Sequence, residues 1–447
     1  MAIRFNCECG KKLSAPDFYA GREGKCNHCG KRFVIPGEPK PAVDEKISQP
    51  MPTAGVGVLT YQLNPKAAAK VGPPRTARDY TYLILLLALL PLFWTMLKGE
   101  NAGRRLEKTL KDASPQAQAR VAEIKQLMNI EGPLPDYVLP YLDEEDFDSL
   151  PGANVFDGLP DGKIQGAMLS RRSFAHWGFA ALSAVAFLAL ILTFFPRRTV
   201  EAKHLFWVGF FTGTAGIVLL VIVQALADAT RGFIPIPSIV AARGFFGAAG
   251  AVISMVIWAF KLIAGSYDAA LDPNANFFVS AFGFMIGVGL LEEMVKAIPL
   301  LWYTNSVGNL SWRAAILWGL ASGIGFGVSE GISYSADFYN GILSADIYVV
   351  RFVSCVALHA IWSASVAVFI YQQREMVEAA VTPWEWLNAA FTVVIVSTFL
   401  HGLYDTMMKK QYVLGGIIVG MVSVGVLGLQ IEWLRKKGSK RKLAYGY

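Results

Sequence analysis

Apolar runs long enough to cross a lipid bilayer recur along most of this chain, and they constrain its fold more than any other feature. A bilayer core takes about 20 apolar residues of helix, because each backbone N–H and C=O in lipid has to be paired within its own segment. Such runs lie near Tyr80–Leu97, Phe174–Phe195, Leu205–Leu226, Phe245–Ala264, Phe277–Tyr303, Ala314–Tyr334, Ile347–Tyr371, Leu387–Met407 and Val413–Trp433. They predict an all-α polytopic membrane protein with about 8–10 transmembrane helices. A composition of 54% hydrophobic and 17% charged residues over 447 positions excludes an ordinary soluble domain. The net charge of +7 does not point to nucleic acid, because many basic residues flank the spans, as at Arg197-Arg198 and from Arg435 to Lys442. No charged region followed by a cleavable apolar core opens the sequence, so the span near Tyr80 is expected to be an uncleaved anchor.

The residues before that anchor read as a separate module. Cys7, Cys9, Cys26 and Cys29 form Cys-x-Cys and Cys-x-x-Cys knuckles, each beside a glycine, Gly10 and Gly30. Four thiolates in two knuckles suit a tetrahedral structural zinc, although the first knuckle is one residue short of the usual spacing. Residues 1–36 are therefore expected to form a small N-terminal zinc ribbon, with Arg4, Phe5, Arg32, Phe33 and Val34 as strand residues. So short a segment buries too little apolar surface to fold readily without metal. Two disulfides are the competing reading, and reduced cysteines in the cytoplasm are favoured over it. His28 is expected to be exposed rather than a ligand. The ribbon has basic residues but few stacking aromatics and no base-reading element, so a cytoplasmic protein partner is expected rather than nucleic acid.

Composition divides the remainder. Residues 37–78, rich in Pro, Ala, Gly and Lys, read as a flexible linker, and 79–97 as the membrane anchor. Residues 98–172 read as a soluble loop region. Within it Arg104–Met128 has helical spacing, and the acidic run Asp143-Glu144-Glu145-Asp146 lacks the pattern of a calcium loop. Residues 173–265 read as accessory membrane helices, 266–434 as a catalytic membrane core and 435–447 as a basic tail.

Chemistry is concentrated in the C-terminal half, where ionisable groups recur in four successive apolar spans. A charged side chain at a helix centre in lipid costs ~2.5–3.5 kcal/mol on the insertion scale, so such groups usually face a bundle interior and mark a pathway or a reactive site. Glu292 and Glu293 stand in the first span, and Lys296 shares a helix face with Glu292. Glu330 follows a run of small residues, Gly319, Ala321, Ser322, Gly323, Gly325 and Gly327, which permits close helix approach. His359 and Ser363 share a face two turns after Arg351, and His401 lies one turn from Asp405. Carboxylates and imidazoles together can bind a metal, activate water and protonate a leaving group.

The order Glu292-Glu293-x-x-Lys296, Phe326-x-x-x-Glu330, His359-x-x-x-Ser363, His401-x-x-x-Asp405 resembles the PrsW family of intramembrane proteases, part of the wider group containing the CAAX-processing proteases. The resemblance covers roughly Gly232–Trp433. It implies hydrolysis of a peptide bond of a membrane-associated protein, in the family's best-known role an anti-sigma factor whose cleavage starts a stress response. The setting implied is a bacterial inner membrane. The expected catalytic residues are Glu292, Glu293, Glu330, His359, His401 and Asp405, with Lys296 and Ser363 in support. One of Glu292 and Glu293 is expected to take a proton from water. The histidines would orient that water, bind a metal or stabilise the oxyanion, while Asp405 and Glu330 orient the histidines or complete a ligand set. A glutamate-type hydrolase and a catalytic zinc both remain open, because no His-Glu-x-x-His helix is present.

Two other classes compete. A proton-coupled transporter or channel would also bury carboxylates and histidines, but neither inverted repeats nor paired broken helices are evident. A non-catalytic receptor presenting the ribbon is the third reading. Cys355 is expected to serve packing, and His176 and His204 are expected at the membrane interface. A cytoplasmic ribbon and a cytoplasmic basic tail conflict with nine spans, and a re-entrant segment over residues 231–243, containing Pro235 and Pro237, would restore parity.

Overall fold

The computed structural model describes residues 2–6, 8–10, 12–16, 23–25, 29, 31–36, 81–98, 102–135, 138, 139, 142, 155–165, 169, 173–194, 200–231, 245–272, 274–306, 311–335 and 348–445. Cys7, Cys26, His28, the linker, the acidic run 143–146 and the proposed re-entrant prolines lie outside these residues, and with them the four-thiolate site.

The chain divides into two units, residues 1–68 and 69–447. The first contains two antiparallel hairpins, β1 (Ala2–Asn6) with β2 (Lys12–Pro16) and β3 (Glu23–Lys25) with β4 (Arg32–Val34). Phe5 of β1 and Phe33 of β4 meet with ring centroids 5.1 Å apart, an apolar contact between the two hairpins.

The second unit is helical. Among its described residues eight helices are long and apolar enough to cross a membrane, or nine if the bent pair Tyr82–Lys98 and Gly103–Asp112 is one span, so the chain is an integral multi-pass membrane protein. The pair bends by 56°, and its second member, with α3 (Ala102–Thr109), gathers with α4 (Pro115–Leu127) a separate apolar cluster that includes Leu106, Val121, Ile124, Leu134 and Phe156. Burial shows which helices are central. It reaches 72% for α11 (Trp312–Ser333) and 83% for the span that contains α12 (Val356–Gln372), against 28% or less for Ala175–Thr193, Ala202–Ala229 and Ile253–Leu271.

Local chemistry fixes where the central helices begin and end. Ser311 caps α11 by accepting the Ala314 N–H at 3.2 Å. Thr382 and Glu385 form a reciprocal capping box at the start of α14 (Pro383–Lys409), with Pro383 in the first turn, where its missing N–H costs nothing. Gln411, at φ 57°, then turns the chain into α15 (Val413–Tyr445). Lys409 Nζ donates to the carbonyls of Ala270 and Asp272, and Lys410 Nζ to that of Ala275, tying the end of α14 to the end of α8 (Phe245–Leu271).

Two π turns precede the residues of interest. One, Phe284–Gly289, joins α9 (Phe277–Gly283) to α10 (Leu290–Ser306) just before Glu292; the other, Val350–Cys355, leads into α12 just before His359. A π turn carries an extra residue, which rotates the face of the helix that follows and is frequent at functional sites. Close approach comes from small residues on two faces of α11. Gly323 lies against the His359 carbonyl and Gly325 against Gly209, where a Cβ would overlap backbone atoms.

His176, in the first turn of the helix Ala175–Phe194, is 1% exposed, with its ring stacked on Tyr348 at 5.6 Å. His204 is half-buried with its ring 5.7 Å from Tyr303.

Substituting Gly323 by Val should cost about 1–3 kcal/mol or more through overpacking, read as a lower thermal midpoint in detergent. Gly178→Ala, where a Cβ meets nothing within 4 Å, should leave the midpoint unchanged or raise it.

Candidate active site

Four helices bring the ionisable residues together at the centre of the bundle: α10 supplies Glu292, Glu293 and Lys296, α11 Glu330, α12 His359, and α14 His401 and Asp405. Lys296 is fully buried and is the hub. Its Nζ donates to Glu293 Oε1 at 2.6 Å, lies 3.0 Å from His359 Nδ1 and is 3.8 Å from Glu292 Oε2. It also sits 4.6 Å from the centre of the Phe326 ring, a cation–π contact in a dry setting. Ser322 Oγ donates to the Lys296 carbonyl at 2.7 Å and so joins α11 to α10.

Glu293 is equally enclosed. The same Oε1 that takes the lysine lies 3.0 Å from His401 Nδ1, so Glu293 fixes the His401 ring and leaves its Nε2 facing Glu292 Oε2 at 3.7 Å and Asp405 Oδ2 at 3.5 Å. Trp362 stacks on His401 with centroids 4.3 Å apart and planes 18° from parallel. The indole is itself held, with Nε1 donating to Ser423 Oγ at 3.1 Å and the Trp362 carbonyl accepting from Ser397 Oγ at 3.0 Å. His359 is fixed at both nitrogens, Nδ1 by Lys296 and Nε2 by Glu330 Oε2 at 2.5 Å, while Arg351 reaches Glu330 Oε1 at 2.8 Å. The guanidinium of Arg351 lies 3.9 Å from the centre of the Tyr334 ring.

Glu292 differs from its neighbour in its contacts. The Oε2 atoms of both glutamates are buried without a hydrogen bond, but Glu293 is held through Oε1, whereas Glu292 Oε2 faces His401 Nε2 and Lys296 Nζ only at 3.7 and 3.8 Å. Ligand atoms of Glu292, His359 and His401 all lie within 4.8 Å of one another, a spacing that could hold a metal ion. The cluster sets four carboxylates, Glu292, Glu293, Glu330 and Asp405, among the cations Lys296 and Arg351 and two imidazoles.

The six expected catalytic residues and Lys296 thus share one cluster. Ser363 does not join it, for its Oγ is buried without a hydrogen bond and its carbonyl lies against Gly319. The sequence reading did not single out Trp362. The signal was available in its spacing, because Trp362 sits one turn after His359 on the buried helix.

Buried carboxylates and imidazoles converging among membrane helices can carry acid–base or metal chemistry, or relay protons. Residues 237–429, somewhat under half of the chain, match the family described as PrsW family intramembrane metalloprotease. Those residues contain the whole cluster and are similar to that family, and the protein is an intramembrane protease. No curated protein and no solved structure matches the chain.

Removing one member of a buried ion pair strands the other charge, at about 3–5 kcal/mol. Lys296→Met should therefore lower the unfolding midpoint sharply. The double variant with Glu293→Leu should lose less than the two single losses combined, which a double-mutant cycle in detergent would measure.

Proposed function

We propose that this protease cleaves a membrane-anchored protein substrate at the Glu292–His359–His401 cluster. The observation that carries the proposal is the unbonded Glu292 Oε2 facing His401 Nε2, in a group with His359 whose ligand atoms lie within 4.8 Å of one another.

The donor set fits a metal, since two histidines and a glutamate are the ligand chemistry of catalytic zinc. Glu292, His359 and His401 would hold the ion. Once bound, zinc would lower the pKa of a water and polarise the scissile carbonyl. The remaining work belongs to this chain. Glu293 and Lys296 set the His401 and His359 rings. Glu330 has to release His359 Nε2, and Arg351, 2.8 Å from its other oxygen, offers that carboxylate an alternative partner. Asp405, with 23% of its side chain exposed, is the most open carboxylate of the group and stands 3.5 Å from His401 Nε2. In this reading it takes a proton from water and passes it to the leaving amine.

A second reading has its own support. Both His359 nitrogens are already engaged, so a metal-free enzyme in which Glu292 takes the proton from water also uses the arrangement as it stands. Family resemblance points to an anti-sigma-factor-like substrate and to a bacterial inner membrane. The cysteine pattern of residues 1–36 supports a structural zinc and a cytoplasmic protein partner for the ribbon.

The test is cleavage of a single-span reporter by the full-length protein in proteoliposomes, with products identified by mass spectrometry. His401→Ala should reduce the rate at least about 100-fold, the scale of losing acid–base assistance. Full activity in that variant would overturn the proposal. Loss of activity on chelation with recovery on adding zinc selects the metal reading. Cleavage indifferent to chelation, in protein free of bound metal, selects the glutamate reading.

A further inference from the structure

The π turn Val350–Cys355, which carries Arg351, is gripped by two helical elements that lie outside the family-matched residues 237–429. The first comprises α1 (Thr81–Ala88) and α2 (Leu90–Lys98), broken at Leu89 just before Pro91. A proline inside a helix clashes with the preceding turn and opens the backbone ladder. Ser354 fills the opening. Its Oγ accepts the Leu92 N–H at 3.2 Å and donates to the Ala88 carbonyl at 2.6 Å. Ala88 O and Leu92 N–H are an i, i+4 pair that would bond directly in an unbroken helix, so the hydroxyl takes the place of that rung. The second grip is α5 (Ala175–Phe194), where Ser183 Oγ donates to the Phe352 carbonyl. Both serines are buried, and Phe179 stacks on Tyr348 at 5.9 Å and on Phe352 at 6.2 Å beside them.

The turn leads directly to the cluster. Arg351, three residues before Ser354, holds Glu330 at 2.8 Å, and Glu330 lies 2.5 Å from His359 Nε2. We propose that Ser354 is a positioning residue: by inserting into the broken N-terminal membrane helix it fixes the π turn, and through Arg351 and Glu330 it sets the ring of His359. Ser183 braces the same turn from the opposite helix. The family-matched segment is then incomplete by itself, and α1, α2 and α5 become parts of the catalytic apparatus.

This inference rests on the proposed role of the Glu292–His359–His401 cluster, so its test separates the two. The full-length protein in proteoliposomes is assayed on the single-span reporter as Ser354→Ala, Ser354→Thr, Ser183→Ala and Glu292→Gln, with kcat, KM and thermal midpoint measured for each. Loss of a group that orients a reactive histidine typically costs about 10–100-fold. Ser354→Ala should lose about tenfold or more in kcat with KM nearly unchanged, Ser183→Ala should lose less, and Ser354→Thr, which keeps the hydroxyl, should recover most of kcat. Should the alanine variant fail to fold, Ser354→Cys, a weaker donor of similar size, should give an intermediate kcat. Normal kcat in Ser354→Ala with an inert Glu292→Gln overturns the positioning role alone. A loss that follows the thermal midpoint and is not rescued by threonine also overturns it. Cleavage surviving in Glu292→Gln overturns the catalytic reading and this inference with it.

Discussion

The Lys296–Glu293 pair is the contact on which the rest of the site depends. An isolated charge in such a place would cost several kcal/mol after relaxation, so the pair persists only because each member is further satisfied. Glu293 Oε1 meets both the ammonium and His401 Nδ1, while Lys296 meets His359 Nδ1 and the Phe326 ring. One ion pair therefore fixes two imidazoles contributed by two different helices. The adjacent glutamates differ in their contacts: Glu293 Oε1 is engaged by two partners, while the unbonded Glu292 Oε2 faces His401 Nε2 and Lys296 Nζ.

Holding those imidazoles in register requires helices closer together than ordinary side chains allow. Gly323 and Gly325 let α11 approach α12 on one face and the helix containing Gly209 on another. The two π turns then choose which residues point inward, just before Glu292 and just before His359. Strong capping at Thr382 and the lysine anchors at Lys409 and Lys410 fix both ends of the helix that carries His401 and Asp405. The polar centre is thus set by backbone geometry as much as by its own ion pairs.

Much of this was legible in the sequence, for reasons that differ by feature. The membrane helices were legible because lipid demands long unbroken apolar runs, and those near Phe174–Phe195, Ala314–Tyr334 and Val413–Trp433 correspond to helices. The cluster of ionisable residues was legible because buried charge in lipid is costly, so four polar interruptions in order stood out. Division of labour between Glu292 and Glu293 was not legible, since adjacent residues differ only in the direction they face. The π turns left no signal in hydropathy. Trp362 read as one more apolar residue, although it forms the stacking platform for His401.

The central claim of the proposed function is that Glu292 belongs to the reacting centre, as metal ligand or as base, and that Glu293 is its structural partner. A paired measurement of reporter cleavage and thermal midpoint for Glu292→Gln and Glu293→Gln tests it most directly. The account predicts that Glu292→Gln abolishes cleavage while the midpoint is retained, and that Glu293→Gln lowers the midpoint because Lys296 loses its charged partner. Undiminished cleavage by Glu292→Gln, in protein that folds normally, would contradict it.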